Sequence, residues 1–366
     1  MNDASPSPGR VKPPKPKRTD PVPIVLALAL GLAGGIVAWW LRVPLAWMIG
    51  PMVTTAAVSA AGFTLAQVPA GRQVGQAVVG IAIGLRMTPP VLAGTLSLAP
   101  AIVVATIGVI AVTTAAAFLL RPLARVDART AFFATAAAGM ADMALVARRH
   151  GGDADAVATV HAIRVFVVVL MVPVLVVAFG TGGSVEDAVI DGAHPWAWVL
   201  LVPGALLCAW ALMPAGFPNP WLVGPMLGSA AFAAVEPFRA AVPWAALVVA
   251  QLAIGIALGV RFKRESLVRL PRVALGGLAV AMLLVAAAAA GGAVLAAATG
   301  IPYAAAFLAV APAGITEMVL TAKIMRLDAT VVTAFQIVRI AVIAATILPV
   351  FGLYRVIARR ISGSQV

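Results

Sequence analysis

Uninterrupted apolar runs of about twenty residues recur along this sequence, and they constrain its fold more than any other feature. A helix needs about 20 apolar residues to cross the hydrocarbon core of a bilayer. Hydrophobic residues make up 62% of the 366 residues, whereas about half is typical of soluble domains. The sequence does not show the short alternating segments that are typical of a β-barrel. We therefore predict an all-α, polytopic membrane protein.

The formal net charge of +13 does not indicate a nucleic-acid partner. The basic residues stand in the N-terminal tail and between the apolar runs, as the positive-inside bias of membrane proteins leads us to expect. There is no basic stripe with interleaved aromatic residues, so we predict no binding to nucleic acid. The single cysteine, Cys208, lies inside an apolar run, which excludes an intramolecular disulfide and favours a packing role.

The chain divides into a tail, two membrane repeats and a connector. Residues 1–21 are proline-rich and basic, so we predict a disordered tail that serves as a topology signal or touches anionic lipid head groups. Repeat 1 covers residues 22–179, an acidic connector residues 180–194, and repeat 2 residues 195–360. Each repeat has six apolar segments. The segments are 22–41, 44–62, 72–88, 91–120, 130–149 and 153–179, then 195–214, 219–236, 243–260, 271–299, 303–325 and 328–354.

The second repeat follows the first at an offset of 174 or 175 residues. Rare residue types carry this signal, because matched alanines and valines mean little in so apolar a chain. Each second segment contains Gly-Pro-Met, which predicts a kink or break, and each third segment contains GIAIG or GIALG, which is typical of close helix packing. The matched pairs are Pro44/Pro218, Trp47/Trp221, Gly50/Gly224, Pro51/Pro225, Met52/Met226, Gln76/Gln251, Gly80/Gly255, Gly84/Gly259, Arg86/Arg261, Gly139/Gly314, Asp142/Glu317, Met143/Met318, Asp153/Asp328 and Arg164/Arg339.

Loop charges predict that the two repeats are inverted relative to each other in the membrane. The loop between segments four and five is basic in repeat 1, within residues 121–129, whereas its counterpart at residues 299–303 is uncharged. The loop between segments three and four is basic in repeat 2, within residues 261–272. Equivalent loops therefore lie on opposite sides of the membrane. Inversion requires an odd number of crossings, so we predict five transmembrane helices per repeat, with segment five re-entrant or broken.

An acid follows a glycine at the predicted break of each segment five. Asp142 follows Gly139 in repeat 1, and Glu317 follows Gly314 in repeat 2. Non-helical backbone at membrane depth is tolerated where it is buried in protein or lines a wet cavity. Half-helix N-termini that face such a cavity attract anions. We predict that Asp142 and Glu317 bind a coupling ion, H⁺ or Na⁺, and that the two glycines border the substrate.

Two arginines lie about three turns into the sixth segments. A charge at mid-membrane costs about 2.5–3.5 kcal/mol on insertion scales, so such residues usually pair and usually serve function. We interpret Arg164 and Arg339 as ligands of a substrate carboxylate, the alternative being two structural salt bridges with the acids. His161 lies three residues before Arg164 on the same helix face, and its equivalent is Gln336. We interpret both as polar residues that line the cavity, rather than His161 as a proton relay.

Three further polar residues have two interpretations each. Thr316 either ligates an ion or satisfies the local backbone. Gln76 and Gln251 either face the cavity or form hydrogen bonds between helices.

These features resemble the AbrB membrane protein family, a duplicated bacterial family whose members are labelled ammonia monooxygenase or AbrB family regulator. The resemblance covers about residues 22–355 and is most specific in the Gly-Pro-Met segments and in Pro312–Met318, which is similar to the family's Pro-Gly-Gly-x-x-Glu-Met. Ala313 replaces the first glycine of that motif, and Ala137 stands where the proline of the other copy would be. The resemblance implies a bacterial inner membrane protein and an influence on gene expression. More distantly, the architecture resembles symporters with five-helix inverted repeats.

We therefore expect a secondary transporter of a small anionic or zwitterionic metabolite, with both termini cytoplasmic. The alternative is a membrane sensor or regulatory protein that binds a ligand in the same pocket without moving it. Oxygen chemistry on a metal needs clustered ligands, whereas His150, His161 and His194 are scattered. We predict no enzyme activity, no cofactor and no metal site. The expected partners are the bilayer, the substrate and the coupling ion, and a homodimer is left open.

Overall fold

A computed structural model of the chain describes residues 21–87, 89–178, 195–217, 219–235, 241–262 and 264–361. Every helix or strand assigned within these ranges is an α-helix, as the apolar runs predict. The predicted tail, apart from Pro21, and the predicted connector lie outside the described residues.

Sixteen helices are described, numbered here in chain order. They are α1 (Pro21–Trp40), α2 (Ala46–Ala60), α3 (Gly71–Gly84), α4 (Pro89–Ser97), α5 (Ala99–Ala124), α6 (Ala128–Thr135), α7 (Met140–Arg149), α8 (Ala154–Ala178), α9 (Pro195–Leu212), α10 (Pro220–Val235), α11 (Trp244–Gly259), α12 (Arg264–Arg269), α13 (Pro271–Thr299), α14 (Tyr303–Val310), α15 (Ile315–Ile324) and α16 (Ala329–Ile361).

Six helical stretches among the described residues are long and apolar enough to cross a membrane. They are Pro21–Trp40, Ala99–Ala124, Ala154–Ala178, Trp244–Arg269, Pro271–Thr299 and Ala329–Arg360. This confirms a multi-pass membrane protein. Helices α2, α3 and α10 have 15, 14 and 16 residues, which corresponds to lengths of about 21–24 Å, less than the ~30 Å of a typical hydrocarbon core. The predicted five crossings per repeat stay a prediction.

The fifth segment of each repeat is divided into two short helices, as predicted. In repeat 1 the chain leaves the helix between α6 and α7, and in repeat 2 between α14 and α15. The residues that follow α6 and α14 are both extended, with ψ of 134° at Ala136 and 128° at Ala311. The second break contains Pro312 and the first has Ala137 in its place. Ala137 in place of proline therefore leaves the backbone at the start of the break similarly extended.

Helices α6 and α7 form a hairpin, because the start of α6 lies beside the end of α7. The Asp153 amide donates to Thr130 Oγ1 at 2.8 Å, and Arg129 Nη1 donates to the His150 carbonyl at 3.2 Å. A continuous helix would hold residues 129 and 150 about 30 Å apart. The break is therefore the tip of a hairpin that turns back toward its starting side.

Helix packing divides the molecule into two bundles. We call α1–α3 with α9–α11 the frame bundle, and α5–α8 with α13–α16 the hairpin bundle, since the second contains both divided segments. Within the frame bundle, α3 packs on α10 and α2 on α11, and within the hairpin bundle α13 packs on both α5 and α8. Each bundle takes equivalent helices from both repeats.

The frame bundle is held together by close backbone contacts between the repeats. A Cβ atom at Gly80 or Gly84 of α3 would collide with the carbonyl oxygen of Leu222 or Met226 in α10. A Cβ atom at Gly255 or Gly259 of α11 would collide with the equivalent oxygen of Met48 or Met52 in α2. The GIAIG and GIALG patterns therefore mark close helix contacts, as predicted.

The Gly-Pro-Met tripeptides do not break their helices. Helix α2 continues through Pro51 and α10 through Pro225, so the part of the prediction that allowed a break is wrong. The Thr55 hydroxyl and, equivalently, the Ser229 hydroxyl donate to the carbonyl oxygens of these two prolines at 2.6 Å. These bonds reach the prolines' own carbonyls, whereas the carbonyls that lose their helical donor are those of Trp47 and Trp221, four residues before each proline.

Candidate functional site

A cavity of about 220 Å³ lies between the two bundles and is lined by both helix breaks. It is smaller than the 300–1,000 Å³ of a typical drug-sized pocket. The hairpin bundle contributes seven of the predicted site residues, and the frame bundle contributes polar residues near the ends of its helices. The former are Gly139, Asp142, His161, Arg164, Gly314, Thr316 and Glu317, and the latter are Arg72, Asn219 and Arg261.

Glu317 lies in the first turn of α15 and is almost completely buried, with 1% of its surface exposed. Its Oε1 faces Arg72 Nη2 at 3.8 Å, and its Oε2 has no hydrogen-bond partner among the described residues. Oε2 packs so closely over Gly314 that a Cβ atom there would collide with it. A buried carboxylate with one unsatisfied oxygen requires an explanation, and a bound cation or proton would supply one.

Asp142 occupies the equivalent position in the first turn of α7 but is exposed. A Cβ atom at Gly139 would lie 2.6 Å from Asp142 Oδ2, so this carboxylate also folds over its glycine. The two acids therefore share their local geometry but differ in accessibility.

Arg164 is buried and its guanidinium binds the C-terminal end of α6. Nη1 donates to the carbonyl oxygens of Thr135 and Ala136 at 3.0 and 2.7 Å, and Nη2 donates to His161 Nδ1 at 3.1 Å. His161 Nε2 lies 2.9 Å from the Phe133 carbonyl. Since Nδ1 accepts and a carbonyl can only accept, Nε2 carries the proton and the imidazole is neutral. Arg164 and His161 thus support the break as well as lining the cavity.

Arg339 and Gln336 make the equivalent contacts in repeat 2 but do not line the cavity. Arg339 donates to the carbonyl oxygens of Ala311 and Ala313 at 2.7 and 2.9 Å, and Gln336 Nε2 donates to that of Leu308 at 2.8 Å. Within the described ranges no ion pair joins either buried arginine to Asp142 or Glu317. The arginines therefore donate hydrogen bonds to the free carbonyls of the broken helices, a role that neither sequence-based interpretation included.

Gln76 links the two bundles beside the cavity. Its Nε2 donates to Thr316 Oγ1 at 3.0 Å and lies 3.5 Å from Asn219 Oδ1. Gln76 therefore forms a hydrogen bond between helices and does so at the edge of the cavity, so the two interpretations of this residue are compatible. Gln251 is buried but does not line it.

Sequence reasoning missed three polar lining residues, namely Arg72, Asn219 and Arg261. Arg261 could have been found, because it belongs to a matched pair of charged residues with Arg86 at the ends of the third segments. Arg72 has no charged equivalent, since Leu247 stands 175 residues later. The repeat signal therefore could not reveal it.

Helix α8 and helix α16 each begin with the same cap. Asp153 Oδ1 accepts from the amides of Asp155 and Ala156, and Asp328 Oδ1 accepts from those of Thr330 and Val331. Asp153 and Asp328 therefore cap their helices, whereas Asp142 and Glu317 line the cavity.

Comparison with known proteins places this arrangement in a family. The family profile described as "Transition state regulatory protein AbrB" matches residues 69–355, a range that contains both breaks and the whole cavity lining. An "Uncharacterized protein YhjN" of Bacillus subtilis (strain 168) is 27% identical over 354 residues, which cover 89% of this chain and 91% of that protein. No solved structure matches the chain significantly. Since the profile covers well over half of the sequence, this chain belongs to the AbrB family.

Proposed function

We propose that this protein is a secondary transporter of a small anionic or zwitterionic metabolite, coupled to H⁺ or Na⁺. One observation carries the proposal: two helix breaks 175 residues apart in the sequence line a single small cavity. Discontinuous helices whose N-termini meet a polar cavity are typical substrate and ion sites of transporters. The arginines that line the cavity favour an anionic group in the substrate.

The topology that we propose is an inverted repeat. The α6–α7 hairpin begins and ends on one side, so each repeat would cross the membrane five times. With the basic loops cytoplasmic, both termini lie in the cytoplasm of a bacterial inner membrane. The two repeats then face opposite sides.

Alternating access would arise from movement between the frame bundle and the hairpin bundle. Glu317 is buried and Asp142 exposed in this conformation, so movement could exchange the two environments. Burial favours the protonated carboxylate, whereas a bound cation or nearby arginine favours the charged form. We propose that this balance lets the acids take up and release the coupling ion.

Counterflow in proteoliposomes tests transport directly. Purified protein is first screened for thermal stabilisation by a panel of organic acids, amino acids and phosphonates. Each stabilising compound is then loaded inside the vesicles, and uptake of its radiolabelled form is measured. Transient accumulation that depends on the protein supports transport. Its absence for every stabilising compound contradicts it.

The alternative function is a membrane sensor that influences gene expression. The observation in its favour is the description of the matching family, which names a regulatory protein. A sensor would bind the same compounds without counterflow, and its deletion would change transcript levels even when the metabolite concentration is held constant. A transporter would affect expression only through that concentration.

A further inference from the structure

We propose that Arg72 and Arg261 form the subsite that binds a small monocarboxylate in the cavity between the bundles. The assignment rests on the proposed function for the class of substrate, since a transported organic anion is what such a subsite would hold. It differs from the sequence-based interpretation, which gave this task to Arg164 and Arg339.

Arg72 is incompletely paired within the protein. Its Nη2 stands 3.8 Å from Glu317 Oε1, which is too long for a hydrogen bond. Its Nε is buried and has no hydrogen-bond partner within the described residues. Buried polar groups nearly always have partners, and an oxyanion is the partner that a guanidinium edge suits best.

A second guanidinium lines the same cavity. Arg261 follows α11 and interacts electrostatically with both Arg72 and Glu317. Two arginines therefore lie within electrostatic range of one carboxylate. Like charges held together in a partly buried site repel each other, and an anion between them would relieve the repulsion.

The charge of the whole lining also favours an anion. Three arginines (Arg72, Arg164 and Arg261) line the cavity with two carboxylates (Asp142 and Glu317), which leaves one positive charge uncompensated. Arg164 already donates its Nη hydrogen bonds to backbone carbonyls and to His161, whereas Arg72 and Arg261 donate no hydrogen bond to other described residues, so their donors are the ones left for a ligand.

The guanidinium groups and the size of the cavity favour a small carboxylate as the ligand. A guanidinium fork matches the two oxygens of a carboxylate, which it can bind through two parallel hydrogen bonds. The 220 Å³ of the cavity is the volume of about seven water molecules, and its lining includes apolar side chains such as Leu258 and Ile340. A singly charged carboxylate with a short apolar body fits this combination.

The test uses the purified full-length chain in detergent and titration calorimetry with butyrate, benzoate, malonate and succinate. We expect at least one monocarboxylate to bind, and to bind more tightly than either dicarboxylate. Arg72→Gln and Arg261→Gln should each weaken its binding by about tenfold or more, as the loss of hydrogen bonds to a charged group predicts. Arg264→Gln, which changes an exposed arginine outside the cavity lining, is the matched control and should bind like the wild type.

A change in ligand preference distinguishes an anion subsite from an arginine with only a structural role. Glu317→Gln raises the uncompensated charge of the lining from one to two. We therefore expect this variant to prefer succinate or malonate over the monocarboxylates. An unchanged order of preference would contradict the charge argument.

Two measurements keep the test decisive if the glutamine variants do not fold. The first is the affinity of Arg72→Lys and Arg261→Lys, which keep the charge and lose only the planar fork, and we expect both to bind more weakly than the wild type. The second is protection from chemical modification. In the wild type, the bound monocarboxylate should protect Arg72 and Arg261, but not Arg264, from p-hydroxyphenylglyoxal, as read by peptide mass mapping. Wild-type affinity in both lysine and glutamine variants, no protection, or no binding of any carboxylate by the wild type would overturn the proposal. Binding as expected without counterflow would instead contradict transport and leave the subsite in place.

Discussion

Arg339 Nη1 lies 2.7 Å from the carbonyl oxygen of Ala311, the first residue of the break in repeat 2. Arg164 has the same relationship, at the same distance, to Ala136 in repeat 1. Each buried guanidinium here donates hydrogen bonds to the free carbonyls at the end of a broken helix. Arg164 lines the cavity and Arg339 does not, so replacement of the two arginines should affect ligand binding differently.

Replacement of Arg339 by lysine should lower thermal stability, because lysine cannot satisfy two separated carbonyls in one plane. A buried acceptor left without its partner costs about 1–3 kcal/mol. Ligand affinity in the folded fraction should stay unchanged, since Arg339 does not line the cavity. Arg164→Lys should lower stability in the same way, and because Arg164 lines the cavity but is bonded to backbone carbonyls and His161, it should weaken ligand binding less than Arg72→Lys does. Thermal melting with ligand titration measures both quantities, and weaker binding by a fully stable Arg339→Lys variant would contradict this assignment.

Replacement of Gly314 by alanine should impair ion-coupled accumulation far more than replacement of Gly139. The added Cβ atom would collide with Glu317 Oε2, so the almost completely buried carboxylate would have to leave its position. At Gly139 it would meet the carboxylate of Asp142, which is exposed and can rotate into open space. Gly352→Ala, where a Cβ atom has no neighbour within 4 Å, is the control. Equal effects of the two tip alanines on accumulation in proteoliposomes would argue against a tightly packed Glu317.

Neutral replacements of the two acids should separate coupling from exchange. Asp142→Asn and Glu317→Gln preserve shape and hydrogen bonding while they remove the charge. We expect at least one of them to abolish accumulation driven by an ion gradient, with Glu317→Gln the stronger because its carboxylate is buried. Exchange without a gradient should persist in that variant, with the change of preference toward dicarboxylates that we expect for Glu317→Gln. If both variants still accumulate substrate against its gradient, the acids have no coupling role.

Cysteine labelling tests the inverted topology. In a Cys208→Ala background, single cysteines at Arg125 and Arg264 should react with a membrane-impermeant maleimide only from the cytoplasmic side. A cysteine at Thr299 should react only from outside. Labelling of positions 125 and 264 from opposite sides would end the inverted-repeat proposal.

Leucine at Gly80 or Gly255 should destabilise the frame bundle, since each side chain would enter the backbone of a helix in the other repeat. Overpacking of this kind costs about 1–3 kcal/mol, occasionally more. Gly108→Leu is the matched control, because a Cβ atom at Gly108 has no neighbour within 4 Å. The yield of monodisperse protein and its melting temperature measure the difference. Normal behaviour of Gly80→Leu and Gly255→Leu would mean that the repeats do not interlock there.

The pattern of rare residues predicted the helix breaks and seven of the eighteen residues that line the cavity. Acids that recur after glycines at one offset identify positions where backbone and charge change together, so Asp142 and Glu317 could each be placed at the break of its own repeat. Proline was a poorer guide. At Pro312 the helix is interrupted, whereas at Pro51 and Pro225 it continues, so the presence of proline alone does not decide whether a helix breaks.

The arginines show why the rest of the site was out of reach. From the sequence alone, Arg339 and Arg261 are both cations near apolar segments, and loop charge favours a topological role for the second. Which cation faces backbone and which faces a cavity depends on how α11 and α16 pack in separate bundles. Helical periodicity does not encode that arrangement, and Arg72 has no repeat partner to reveal it.

The exchange of helices within the frame bundle has a consequence for how such a chain could arise. Among the described residues, the helices of repeat 1 form no complete bundle, because the glycine face of α3 packs on α10 and α11 of the other repeat, and α2, which packs on α1, also packs on α11. An ancestor of half this length would have been obliged to pair with a second copy of itself. In the present chain a covalent link fixes that partnership at one to one, and it frees each copy to diverge. The acid that is aspartate in one copy and glutamate in the other, and the arginine at position 72 that has no counterpart, are differences that a self-paired ancestor could not have carried.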